Sequence, residues 1–139
     1  MIIAQLRTLA ASIPGQAPSE VRLEKVAWRR LPGTLFAAGS GLKRRQIAIM
    51  AFQLPVPGGQ AVVIDSGVTK ALSDEMQLEV FLPDIQARVE AELGSAGLVL
   101  ITHEHPDHLG PLAAMGGTPL RQAARLNAAQ LPGAPLAAT

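Results

Sequence analysis

All three histidines of this chain fall within six residues. LITHEHPDHLG, residues 100–110, carries His103, His105 and His108, with Asp107 between the last two. Imidazole and carboxylate are the donors that zinc and similar divalent ions take from proteins when thiolate is absent, and this sequence contains no cysteine. A metal centre, if there is one, is therefore built from His, Asp and Glu. The helical HExxH pattern is not present, because the residue four places after His103 is Asp107.

The elements around the cluster explain how four donors could meet. AGLVLIT, residues 96–102, is an apolar run of strand length, of the kind buried on both faces. If the strand continues, His103 and His105 leave its end on one side and Glu104 faces away, without an assigned role. Such a pair is half of a tetrahedral zinc site. Pro106 keeps His105 extended and suits the first position of a helix. In that first turn Asp107 is stabilised as an anion by the helix dipole, and His108 follows it. Gly110 would let another segment approach. A corner of this kind, at the carboxyl end of a buried strand, is where open α/β sheets place ligands.

Upstream, VRLEKVAW predicts a strand over 21–28 and TLFAAG a short second one. QIAIMAFQL (46–54) and QAVVIDSG (60–67) predict a hairpin across a Pro/Gly-rich turn. Residues 83–93 read as a helix, with Ile85, Val89 and Leu93 on one face and Gly94 as its cap. Beyond the histidines, PLAAMGG continues a short helix, Thr118-Pro119 opens another over PLRQAARL, and Asn127 could cap AAQL.

With 139 residues, 48% of them hydrophobic, the chain suits one domain with an aliphatic core. Aromatics make up 3%, which argues against a base-stacking surface. Residues 1–60 carry eight basic against two acidic residues, and residues 61–139 four against nine, so a net charge of +1 hides a basic first part and an acidic second. The paired arginines read as a solvated face sooner than a nucleic-acid patch. No apolar run reaches membrane-spanning length, the N-terminal stretch reads as mature protein, and a cytoplasmic location is expected.

THEHPDHLG resembles the T-H-x-H-x-D-H-x-G signature of the metallo-β-lactamase-fold hydrolases, and VVIDSG (62–67) is similar to the strand-end acid and glycine that precede it in that family. The resemblance implies an α/β chain forming the N-terminal αβ half of a four-layer αββα sandwich, with a mostly antiparallel or mixed sheet and helices on one face. It implies that His103 and His105 hold a first metal and Asp107 and His108 a second. Asp107 would also hold and deprotonate the attacking water, and Asp65 would orient ligands from beneath, although a strand-end Asp can equally cap its own turn. Zinc is the implied ion, with manganese or iron(II) as further candidates. The implied reaction is hydrolysis of an ester, lactone, thioester or related bond in a small molecule.

The family's remaining ligands lie after this signature, and residues 111–139 contain no His, Asp, Glu or Cys. The expectation is therefore one truncated domain over 1–139: an N-terminal segment to 19, strands, helix and metal motif over 20–115, then short helices and a loose tail. It would hold part of a metal centre, be inactive alone, and self-associate through an uncovered sheet. Two other readings stay open: a non-enzymatic metal-binding or interaction fragment completed by a partner chain, and a nuclease-like member.

Overall fold

The computed structural model describes residues 2–12, 15–35, 37–115, 122–127 and 130. The chain runs α1 (Ile3–Ala11), β1 (Arg22–Pro32), a 3-10 turn (Gly33–Leu35), β2 (Arg44–Leu54), β3 (Val62–Ile64), α2 (Lys70–Glu75), β4 (Val80–Phe81), α3 (Pro83–Ser95), β5 (Leu98–Leu100), α4 (Pro106–Met115) and β6 (Ala124–Arg125). Six strands form one mixed sheet in the order β4-β1-β2-β3-β5-β6. The pairs β1–β2, β1–β4 and β2–β3 are antiparallel, and β3–β5 and β5–β6 are parallel. The parallel step from β3 to β5 needs a long crossover, which α2, β4 and α3 supply.

Alternation along the strands decides which face the helices cover. Ile49, Ala51, Val63 and Val99 point to one face and are buried with Val68, Val89, Leu93 and Leu112 in a single core. A register shift between Lys25 and Ala27 marks a β-bulge in β1, and both Val26 and Ala27 are fully buried there. On the other face the register aligns Leu23, Phe52, Ile64 and Leu100 across four strands. Among the described residues no helix closes this ladder: Leu23 is 54% exposed and Leu100 37%.

Several expectations hold and others need correction. The hairpin over 46–67 is β2–β3, and α3 begins at Pro83 with Asp84 in its first turn. Gly94 lies inside α3, not at its cap; the helix ends one residue further on, at Ser95, with Ala96 as C-cap. Of TLFAAG, Thr34 and Leu35 lie in a 3-10 turn over Gly33–Leu35 and 37–39 in a bend and turn instead of a strand, and Phe36 lies outside the described residues. The apolar run 96–102 gives only a three-residue strand, buried at Val99 but not at Leu98 or Leu100, because the helices cover one face alone. Residues 124–125, expected to be helical, pair with β5 as β6, where the edge of that strand offers free hydrogen-bonding groups. The expected start at Thr118-Pro119, the Gly116-Gly117 stop and most of the expected final cap at AAQL lie outside the described residues.

Truncation of Leu93, which is fully buried on α3 beneath the sheet, is expected to cost about 2–5 kcal/mol. Leu42→Ala, at an 81% exposed position, should change stability by no more than about 0.5 kcal/mol. Urea denaturation of the two variants measures the contrast.

Candidate metal centre

Strands β3 and β5 are parallel neighbours, so their carboxyl ends open on the same edge of the sheet. The backbone N–H of Asp65 extends their ladder by donating to the Leu100 carbonyl at 2.9 Å. Asp65 then turns sharply, with φ of 63°, a left-handed conformation that Asp tolerates better than most residues. Gly67 follows with φ of 76°; a Cβ there would stand 2.3 Å from Gln86 Oε1, so glycine alone lets α3 come this close.

The turn places a nearly buried carboxylate, 3% exposed, under the histidine segment. Asp65 Oδ1 accepts from the Thr102 backbone N–H at 2.8 Å and lies 2.9 Å from the Thr102 hydroxyl, which is also 2.9 Å from Oδ2. His108 Nδ1 lies 2.8 Å from Oδ2. Burial on its own would raise the Asp65 carboxyl, but the hydrogen bonds from His108 and Thr102 outweigh it and hold the group below the ordinary carboxylate value. For His108, burial opposes the charge, and the Asp65 hydrogen bond and the charges of Asp65 and Asp107 overcome that to raise it.

Ser66 fixes the other side of His108. Its backbone N–H and its hydroxyl both donate to the His108 carbonyl, at 2.9 and 2.7 Å, and the hydroxyl accepts from Leu112 N–H at 3.2 Å. These are two groups that an uninterrupted helix would join to each other, so the serine holds α4 at its third and seventh residues. Gln86 completes the support: it accepts from Val68 N–H at 3.1 Å and donates to the Ser66 carbonyl at 3.2 Å.

The predicted residues do come together. The His103 ring lies with its centroid 3.9 Å from that of His108 and 4.5 Å from that of His105. Asp107 Oδ2 is 3.7 Å from His108 Nε2, and α4 starts at Pro106 with Asp107 in its first turn. The way they arrive differs from the expectation: β5 ends at Leu100, and 102–104 form a bend, so His103 and His105 come from a turn and not from a continuing strand. Gly110 is not required by close approach either, because a Cβ there would meet only Leu72 Cδ2 at 3.6 Å, an ordinary contact. Three supporting residues escaped the sequence reading. Thr102 and Ser66 adjoin residues that were singled out, and Gln86 is a polar residue on the buried face of α3, which is the signal that could have found it.

The donors suit a divalent ion in type and in backing. With Nδ1 of His108 engaged by Asp65, Nε2 is left for a ligand, as metal-binding imidazoles require. As placed, no three His, Cys, Asp or Glu among the described residues form a set that could hold an ion. The His103 and His105 rings, the pair expected to share an ion, lie 4.5 Å apart between centroids, closer than two imidazoles on one ion at about 2.0–2.1 Å, so loading requires side-chain rotation.

Neither a family model nor a curated protein matches this sequence. Solved structures do. One, a quorum-quenching N-acyl homoserine lactone lactonase, superposes with a TM-score of 0.58 at 14% identity over 76% of this chain and 45% of its own. A second, from work on how mutations contribute indirectly to a new enzyme function, gives a TM-score of 0.54 at 17% identity over 73% of this chain and 47% of its own. This chain has the metallo-β-lactamase fold in part. Its six-stranded mixed sheet and helices match about half of each neighbour, and it spans less than half of either one's length. At these identities the likeness is one of fold.

Asp65→Asn is expected to cost about 1–3 kcal/mol in metal-free protein, because a buried charge-assisted hydrogen bond is lost. The wild-type pH profile should show both partners. Asp65, lowered on folding, contributes stability above the usual carboxylate range that is lost as pH falls through its depressed value. His108, raised on folding, contributes stability below about 6.5 that is lost as pH rises through its elevated value. Chemical denaturation across pH checks this, and both limbs should flatten in Asp65→Asn.

Proposed function

We propose that this chain carries part of a metal-dependent hydrolase centre, with zinc the first choice and manganese or iron(II) as alternatives, and with His103 and His105 toward one ion and Asp107 and His108 toward another. The observation that supports it is the convergence of three imidazoles beside a buried carboxylate that binds one of them. A bound divalent ion would supply a water of lowered proton affinity and charge stabilisation for the oxyanion that develops. Asp107, at the N-terminal turn of α4, would hold that water and take its proton at Oδ2. Asp65 would keep His108 in the tautomer that presents Nε2, and Ser66 would fix the backbone that carries it. Glu104 takes no part.

The substrate class follows from the same chemistry: a small molecule with an ester, lactone or thioester bond. One fold neighbour is named for action on an N-acyl homoserine lactone, which supports a lactone or ester over a polymer. Residues 111–139 offer no His, Asp, Glu or Cys to complete either ion's ligand set, so weak metal binding and little or no hydrolysis are expected of these 139 residues alone. Zinc titration by calorimetry should detect binding in the wild type that disappears in a His103→Ala/His108→Ala double variant. Equal heats in the two proteins would rule the centre out.

A specific observation favours a further property, self-association. The Leu23–Phe52–Ile64–Leu100 ladder is an apolar sheet face that no helix among the described residues covers. Light scattering should find a species larger than a monomer that shrinks in a Leu23→Lys/Leu100→Lys variant. A wild-type monomer with a cooperative melt would contradict this.

A further inference from the structure

Thr102 stands between Asp65 and His103, and the direction of its hydrogen bonds can be worked out by counting protons. Its hydroxyl oxygen lies 2.9 Å from both oxygens of the Asp65 carboxylate and 3.0 Å from His103 Nδ1. The hydroxyl has one hydrogen. An ionised carboxylate can only accept, and both Asp65 oxygens lie at hydrogen-bond distance from the hydroxyl, with the Thr102 backbone N–H also on Oδ1. The hydroxyl hydrogen therefore points to Asp65, and the contact to His103 is a hydrogen bond only if His103 Nδ1 brings the hydrogen.

We propose that Thr102 is a positioning residue that fixes His103 in the Nδ1–H tautomer, leaving Nε2 as the ring's free donor atom. The proposal goes beyond the metal-centre reading in naming which atom is presented and what sets it. It makes one buried carboxylate govern two imidazoles: His108 directly at 2.8 Å, and His103 through the threonine hydroxyl. The Thr102 backbone N–H, also on Asp65 Oδ1, anchors the relay at its root, so the hydroxyl is aimed by the main chain and not by rotamer preference alone. A second contact, 3.3 Å from Thr102 Oγ1 to His108 Nδ1, places all three groups around the same carboxylate.

The test reads the imidazole nitrogens of metal-free protein by heteronuclear NMR, well above the pH at which the rings carry charge, in the wild type, Thr102→Val and Thr102→Ser. The expected result is a predominantly Nδ1–H His103 in the wild type and in Thr102→Ser, and a shift toward Nε2–H in Thr102→Val with His108 unchanged. Zinc affinity should fall about 10- to 100-fold in Thr102→Val and recover in Thr102→Ser. A purely structural role would lower the melting temperature of Thr102→Val without moving the tautomer. An Nε2–H His103 in the wild type, or the same tautomer in wild type and Thr102→Val, overturns the proposal. The part that concerns affinity rests on the metal-centre reading: absence of zinc binding in the wild type would defeat that reading, and the tautomer spectra would still decide the role of Thr102.

Discussion

The arrangement at the sheet edge depends on one buried anion. Asp65 sits 3% exposed at the end of β3, and a carboxylate taken out of water is costly unless it is fully hydrogen-bonded. Its oxygens receive the Thr102 N–H, the Thr102 hydroxyl and the His108 ring. These three donors come from the two segments that carry the histidines, one just after β5 and one inside α4. Satisfying the charge and assembling the imidazoles are thus the same event. Removing the carboxylate would free both segments at once.

That anion can be placed only because the backbone around it is unusual in a consistent way. Asp65 and Gly67 both have positive φ, with Ser66 between them. The chain leaves the sheet in a tight hook whose concave side faces α4 and whose far side meets Gln86 of α3. The side chains of Asp65, Ser66 and Gln86 are all nearly buried, and all are paired. Among the described residues no buried side-chain nitrogen or oxygen lacks a partner. A polar network that is fully satisfied in this way fixes the backbone that carries the histidines, and rotation of the rings on that backbone is what loading an ion would add.

The two faces of the sheet have different fates. The face under α3 and α4 is closed over valines and Leu93, while the opposite face presents an apolar ladder with no helix upon it among the described residues. The fold neighbours are more than twice as long as the region they share with this chain. A sheet with one dry and one open face leaves part of its apolar surface unburied.

The sequence determined the local features by itself. Donor types and their spacing identified the histidine corner, because Pro106 holds His105 extended and its fixed φ suits the first position of a helix, and α4 begins there. Two β-rich runs joined by a Pro/Gly-rich turn revealed the β2–β3 hairpin, and four-residue recurrence revealed α3. Only the tertiary structure decided the rest. The length of β5, the hydrogen-bonding of residues 124–125 and the burial of Leu100 depend on which strands lie alongside, and a run such as AGLVLIT carries no record of its neighbours. In the same way Thr102, Ser66 and Gln86 are ordinary polar residues until the fold brings Thr102 to the Asp65 carboxylate, Ser66 to the His108 carbonyl and Gln86 to the Ser66 carbonyl, each across 20 or more positions of chain. Spacing along a chain encodes direction within an element, whereas partners across elements are chosen by the packing of the whole.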